Sequence, residues 1–70
     1  MLKEIQQHLK ATPFEPFEIR SSNGEVYRVE HPENAAIVGG RVIVARKEGE
    51  GVHVLSALHI VAVSGMERVS

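Results

Sequence analysis

The segment Pro16-Phe17-Glu18-Ile19-Arg20-Ser21-Ser22-Asn23-Gly24-Glu25-Val26-Tyr27-Arg28-Val29-Glu30 decides the fold. Apolar and polar residues alternate on either side of Asn23-Gly24, a turn signal that joins two strands into a hairpin. Its register follows from which side chains must share a face. A two-residue Asn-Gly loop would set Phe17 opposite Glu30 and Ile19 opposite Arg28, mixing apolar and charged groups. A three-residue loop, Ser22-Asn23-Gly24 with a left-handed Gly24, sets Phe17 opposite Val29 and Ile19 opposite Tyr27. Glu18 and Arg28 then meet on the outside. Because a slip of one residue turns every side chain to the other face, the three-residue loop is expected.

On the N-terminal side, Leu2, Ile5 and Leu9 recur at helical spacing with Lys3, Glu4, Gln6, Gln7 and Lys10 on the other face, predicting a helix over 1–11. A helix this short does not persist alone in water, so the apolar stripe must dock. Thr12-Pro13 ends it, since the residue before proline is pushed out of helical geometry. Phe14 and Phe17, the only phenylalanines, are expected to anchor the helix to the sheet as core residues.

On the C-terminal side, His31-Pro32-Glu33-Asn34 interrupts strand pairing, because proline cannot donate to a ladder. It reads as a corner between sheets, with a recognition loop displaying His31 and Glu33 as the functional reading. Ala35–Val38 and Arg41–Arg46, joined by Gly39-Gly40, form a second hairpin. Both of its faces are apolar, with Ile37 and Val42 on one and Ala36 and Ile43 on the other, so both need cover from the helix or from another subunit. Lys47–Gly51 is a loop, Val52–Leu55 resumes a strand, Ser56-Ala57 is a short break, and Leu58–Val63 is the last strand. The fold class expected is mainly β with an N-terminal α-helix. A five-stranded bent antiparallel sheet spans 16–64 and closes into a small SH3/Sm-like barrel, and 65–70 forms a tail.

Seventy residues make one domain with a marginal core, and chains of this size usually gain support from disulfides, a metal or a partner chain. Cysteine is absent, which excludes disulfides and thiolate zinc sites. Oligomerisation is left as the expected support. With 8 basic and 9 acidic residues and a net charge of −1, no strong field pulls the chain onto nucleic acid or anionic lipid. No signal-peptide core occurs, and the longest apolar runs, such as Val42–Ala45 and Ile60–Val63, are far shorter than a membrane span. A soluble, cytoplasmic protein without membrane contact is expected.

The chain offers little catalytic chemistry. All its acids are glutamates, no cysteine is present as nucleophile, and Ser56 lies near His53 and His59 only by loose spacing. His8, His31, His53 and His59 share no metal-ligand spacing. No enzyme activity, cofactor or metal is expected. His53 and His59 could converge at a subunit interface, where protonation near neutrality would weaken assembly. Arg41, Arg46 and Lys47 are the one basic cluster, and no aromatic residue lies near them in sequence to stack a base.

Two resemblances attach to these residues. Thr12-Pro13-Phe14-Glu15-Pro16-Phe17-Glu18-Ile19, Asn23-Gly24, Val29-Glu30-His31-Pro32-Glu33 and Leu58-His59-Ile60 resemble a family of uncharacterised bacterial proteins of about this length, a likeness that implies no activity or site. The order of elements, with Asn23-Gly24 at the first turn, resembles Sm-like proteins, including the RNA chaperone Hfq. That likeness implies a ring-forming barrel. Val54–Ile60 stands where Sm proteins carry an Arg-Gly pair, and Asn34–Ile37 offers no base-stacking aromatic.

The function expected is a non-catalytic interaction module that assembles into a homo-oligomer through exposed edges of the later strands, with Ile43, His53, His59, Val61 and Val63 as interface residues. The alternative is an Sm-like RNA binder contacting phosphates through Arg41, Arg46 and Lys47. Its partners would thus be itself, RNA or another protein. A pocket beside convergent polar groups would instead point to a ligand carrier or small enzyme.

Overall fold

A computed structural model describes residues 2–46 and 50–65. The chain runs through helix α1 (Leu2–Lys10), strands β1 (Phe17–Ser21) and β2 (Val26–Val29), a 3₁₀ turn at Pro32–Asn34, strands β3 (Ala35–Val38), β4 (Arg41–Ala45) and β5 (Val52–Ser56), a second 3₁₀ turn at Ala57–His59, and strand β6 (Ile60–Gly65). Among the described residues, six strands form two antiparallel sheets, ordered β2-β1-β6 and β3-β4-β5.

The first hairpin adopts the three-residue loop. Phe17 pairs with Val29, Glu18 with Arg28 and Ile19 with Tyr27. Ser21 N–H donates to the Glu25 carbonyl at 2.9 Å and Gly24 N–H to the Ser21 carbonyl at 3.0 Å. Gly24 takes φ +90°, a left-handed conformation that glycine adopts without a Cβ penalty. Asn23 Oδ1 accepts from Glu25 N–H at 2.9 Å and braces the same turn. Phe17, Ile19 and Val29 are fully buried, and Arg28 meets Glu18 outside, Nε to Oε2 at 3.9 Å. In the second hairpin Gly39 and Gly40 both carry positive φ, as a tight two-residue turn requires.

The expected closed five-stranded barrel does not form. Pro32 brings no N–H, and the 3₁₀ turn that it opens carries the chain out of the first sheet, so β2 has no ladder to β3. The Ala57–His59 turn, where Ser56 Oγ accepts from Leu58 N–H at 3.3 Å, likewise sends the chain from β5 back to β1. β6 therefore starts at Ile60 rather than Leu58, and it runs through Gly65 beyond the expected end at Val63. Its pairing to β1 shifts at Arg20/Ser21, which leaves Val61 as an extra residue and bends the strand. Residues 66–70 of the expected tail lie outside the described residues.

Both sheets and the helix feed one core. Phe17, Ile19, Val29 and Ile60 come from the first sheet, Val42, Val44 and Leu55 from the second, and Ile5 from α1. Leu2 and Leu9 pack against this cluster, so the helix docks by the stripe its periodicity marks. His8 stacks on Phe17 with ring centroids 4.7 Å apart, and Phe14 meets the Phe17 ring edge-on at 6.1 Å.

The Ile5 side chain is completely enclosed and is the deepest point at which the helix enters the core. Ile5→Ala should cost about 2–5 kcal/mol of unfolding free energy. The exposed Lys3→Ala control should stay within about 0.5 kcal/mol. Urea unfolding followed by circular dichroism measures both.

Candidate functional site

Two surfaces stand out, on opposite faces of the second sheet. The first is its outer face. β3 pairs Ala36 with Ile43 and Val38 with Arg41, and β4 pairs Ile43 with Val54 and Ala45 with Val52. Since side chains alternate along a strand, these residues project together, away from the core. Val54 is 58 % exposed, Val38 57 % and Val52 48 %. The face holds one charge, Arg41, and no carboxylate. Single exposed apolar residues are ordinary, whereas a continuous row across three strands is not.

The second surface is a cleft of about 410 Å³ between β2 and the far ends of β4 and β5. Tyr27, facing inward from β2, meets His53, facing inward from β5, with ring centroids 4.9 Å apart and planes tilted by 57°. Val44 lies between the two sheets in the same wall, and His31, Asn34, Glu30 and Arg46 line the opening. The Pro32 corner brings His31 and Asn34 there. Gly51, at φ +78°, returns the chain so that its carbonyl accepts from Arg46 N–H at 3.3 Å, which fixes the backbone of Arg46 at the rim.

The Tyr27 hydroxyl donates to Glu25 Oε2 at 2.9 Å. That hydrogen bond, reinforced by burial and by the carboxylate's charge, pushes the phenol above its ordinary pKa. Tyr27 therefore stays neutral across the physiological range and presents an uncharged ring to the cleft.

The residues singled out in the sequence fall in different places. Arg41 stands on the outer face at one end of β4 and Arg46 at the cleft beyond the other end, about 17 Å along the strand at 3.3 Å per residue. The two do not form one cluster, and Lys47 lies outside the described residues. Ile43 is on the apolar outer face. Val61 is 49 % exposed at the β6 bulge, and Val63 pairs with Ile19 and packs against the core. His53 lies on the cleft side of β5, whereas His59 is exposed on the second 3₁₀ turn with Nδ1 3.4 Å from Ser22 Oγ. The two histidines thus belong to separate surfaces.

The contact of Tyr27 with His53 and the place of Arg46 at the same cleft were not visible in the sequence, because Tyr27 comes from the first sheet and the other two from the β4–β5 end of the second. Among the described residues no group of three or more His, Cys, Asp or Glu is placed to hold a metal. No helix among them is long and apolar enough to cross a membrane. No family model matches the chain, and no curated protein or solved structure shows significant similarity to it.

Tyr27 is the sole tyrosine in a chain without tryptophan, so ultraviolet titration reports it alone. Its midpoint should lie above that of free tyrosine, and Glu25→Gln, which removes the charge and weakens the accepted hydrogen bond, should move it back down. Equal midpoints in the two proteins would contradict the Glu25 contact.

Proposed function

We propose that this chain is a non-catalytic interaction module that assembles with copies of itself through the outer face of β3-β4-β5. The observation that carries this reading is the Ala36–Ile43–Val54 row, flanked by Val38, Val52 and Ala45 and left uncovered by α1, whose own stripe is spent on the core. A face without a carboxylate offers a partner area rather than ion pairs. Two copies of such a face can bury their valine and isoleucine side chains against each other in a two-fold interface, with Arg41, at the end of β4, left in solvent. Sheets that meet this way stack about 10 Å apart with their side chains interleaved. The outer face of the first sheet differs, since it bears Glu18, Arg20 and Arg28 beside the exposed Val26, and these charges disfavour apolar stacking.

The reading concerns a sheet face rather than strand edges, and of the interface residues expected from sequence it retains Ile43. RNA contact by an arginine cluster draws less support, because Arg41 and Arg46 occupy opposite ends of β4 on different surfaces.

Sedimentation equilibrium at about 10–100 μM should give a multiple of the chain mass. Val54→Glu, at a position more than half exposed, should yield a monomer with an unchanged circular dichroism spectrum. A monomeric wild-type protein, or a Val54→Glu variant that keeps the wild-type mass, would sink the proposal.

A further inference from the structure

The cleft is not used by the self-assembly reading, and it combines two features that together specify a ligand. One is aromatic surface. Tyr27 and His53 are both partly exposed, and their ring pair lines the wall with Val44 below it. The other is a cation at the mouth. Arg46 is exposed and forms no ion pair among the described residues, while its backbone is tied to Gly51. Basic residues next to flat rings are the elements that hold nucleotides, with the base lying on the ring and the phosphate on the guanidinium. The volume of about 410 Å³ falls in the range of small-molecule sites and admits one nucleotide rather than a folded surface. Polar groups for the base edge are also at hand, with the Glu30 carboxylate as acceptor and Asn34 as donor and acceptor.

We infer that the cleft between β2 and the β4–β5 end binds a single nucleotide unit, stacking its base on the Tyr27 ring with the tilted His53 ring at its edge, and holding its 5′-phosphate on Arg46. The exposed His31 imidazole lies at the same opening and adds a second donor. A carboxylate such as Glu30 accepts from an exocyclic amino group, so cytidine 5′-monophosphate is the suitable probe. The nucleotide can come free in solution or as one unit of a single strand, and both offer the same base and phosphate. The site is independent of the outer face, which lies on the other side of the same sheet.

The test is titration of the full chain with cytidine 5′-monophosphate, followed by NMR of backbone amides and of the Tyr27 and His53 ring protons. The Tyr27 ring protons should shift upfield as a base stacks on that ring, and the His53 ring protons, at the edge of the base, should move by a smaller amount. Cytidine without phosphate should bind at least about tenfold more weakly, and ribose 5-phosphate should leave the ring protons in place. Arg46→Ala should weaken the nucleotide by about tenfold, and Tyr27→Leu by a similar factor, the range seen when a stacking ring is removed. Amide spectra of both variants check that they fold. Arg46 is exposed, so its replacement keeps the test meaningful if Tyr27→Leu fails to fold. A cytidine hexanucleotide that binds more than tenfold tighter than the monophosphate marks a strand as the source, and equal affinities mark the free nucleotide. Ring protons that do not move at 10 mM nucleotide (on the order of the weakest useful small-ligand affinity), or an Arg46→Ala variant that binds as well as wild type, would overturn the assignment.

Discussion

The structure depends on what surrounds the Phe17 ring. This side chain is fully buried at the start of β1, flanked by Val29 on β2 and Gly65 on β6. His8 lies flat on it from the helix, and Phe14 meets it edge-on from the linker. One ring thus ties together the helix, the linker and the whole first sheet. The second sheet closes over the same core through Val42, Val44 and Leu55. A chain of this length has few apolar residues to spend, and concentrating them around one ring uses them where each touches several elements.

Spending the core this way leaves the two sheets unequal. The first sheet shows solvent a charged face, as an antiparallel sheet with one wet side should. The second is apolar on both faces, yet the helix covers only the core side. Nine residues of helix span about 13 Å at 1.5 Å per residue, and their single stripe of Leu2, Ile5 and Leu9 is already buried. No other described element is available to cover β3-β4-β5 from outside. Among the described residues this face is left uncovered, and association is the ordinary physical remedy for such a face.

Much of this was legible in the sequence, and the rest was hidden for identifiable reasons. The first hairpin could be read to the exact pair, because only one register puts Phe17, Ile19, Tyr27 and Val29 on one face. The docking stripe of the helix was legible for the same reason, since its period and its company of charged residues admit one orientation. The closure of the sheet was not. Whether a strand turns a corner within one sheet or crosses to a second depends on the 3₁₀ turns at Pro32–Asn34 and Ala57–His59, and three-residue turns leave almost no periodic signal. The cleft was hidden because Tyr27 belongs to the first sheet and Arg46 and His53 to the β4–β5 end of the second, so that they share a wall only after the two sheets come together. The absence of an aromatic near the arginines in sequence said nothing about their neighbours in space.

The two proposed surfaces constrain each other through their placement. Strand alternation puts Ile43 and Val54 on one side of the second sheet and Val44 and His53 on the other. Stacking two copies by their outer faces buries the first set and leaves the second open, so each cleft stays accessible within an assembly. One nucleotide held by one guanidinium and one ring pair is a weak ligand, because few groups contact it and its phosphate remains partly hydrated. Two clefts carried on one face-to-face pair would change that arithmetic. A strand that reaches from one cleft to the next meets the second at high effective concentration, and affinity then rises without any new contact. A module of this kind needs no strongly basic surface, which accords with a net charge of −1. Repetition would supply what charge density does not.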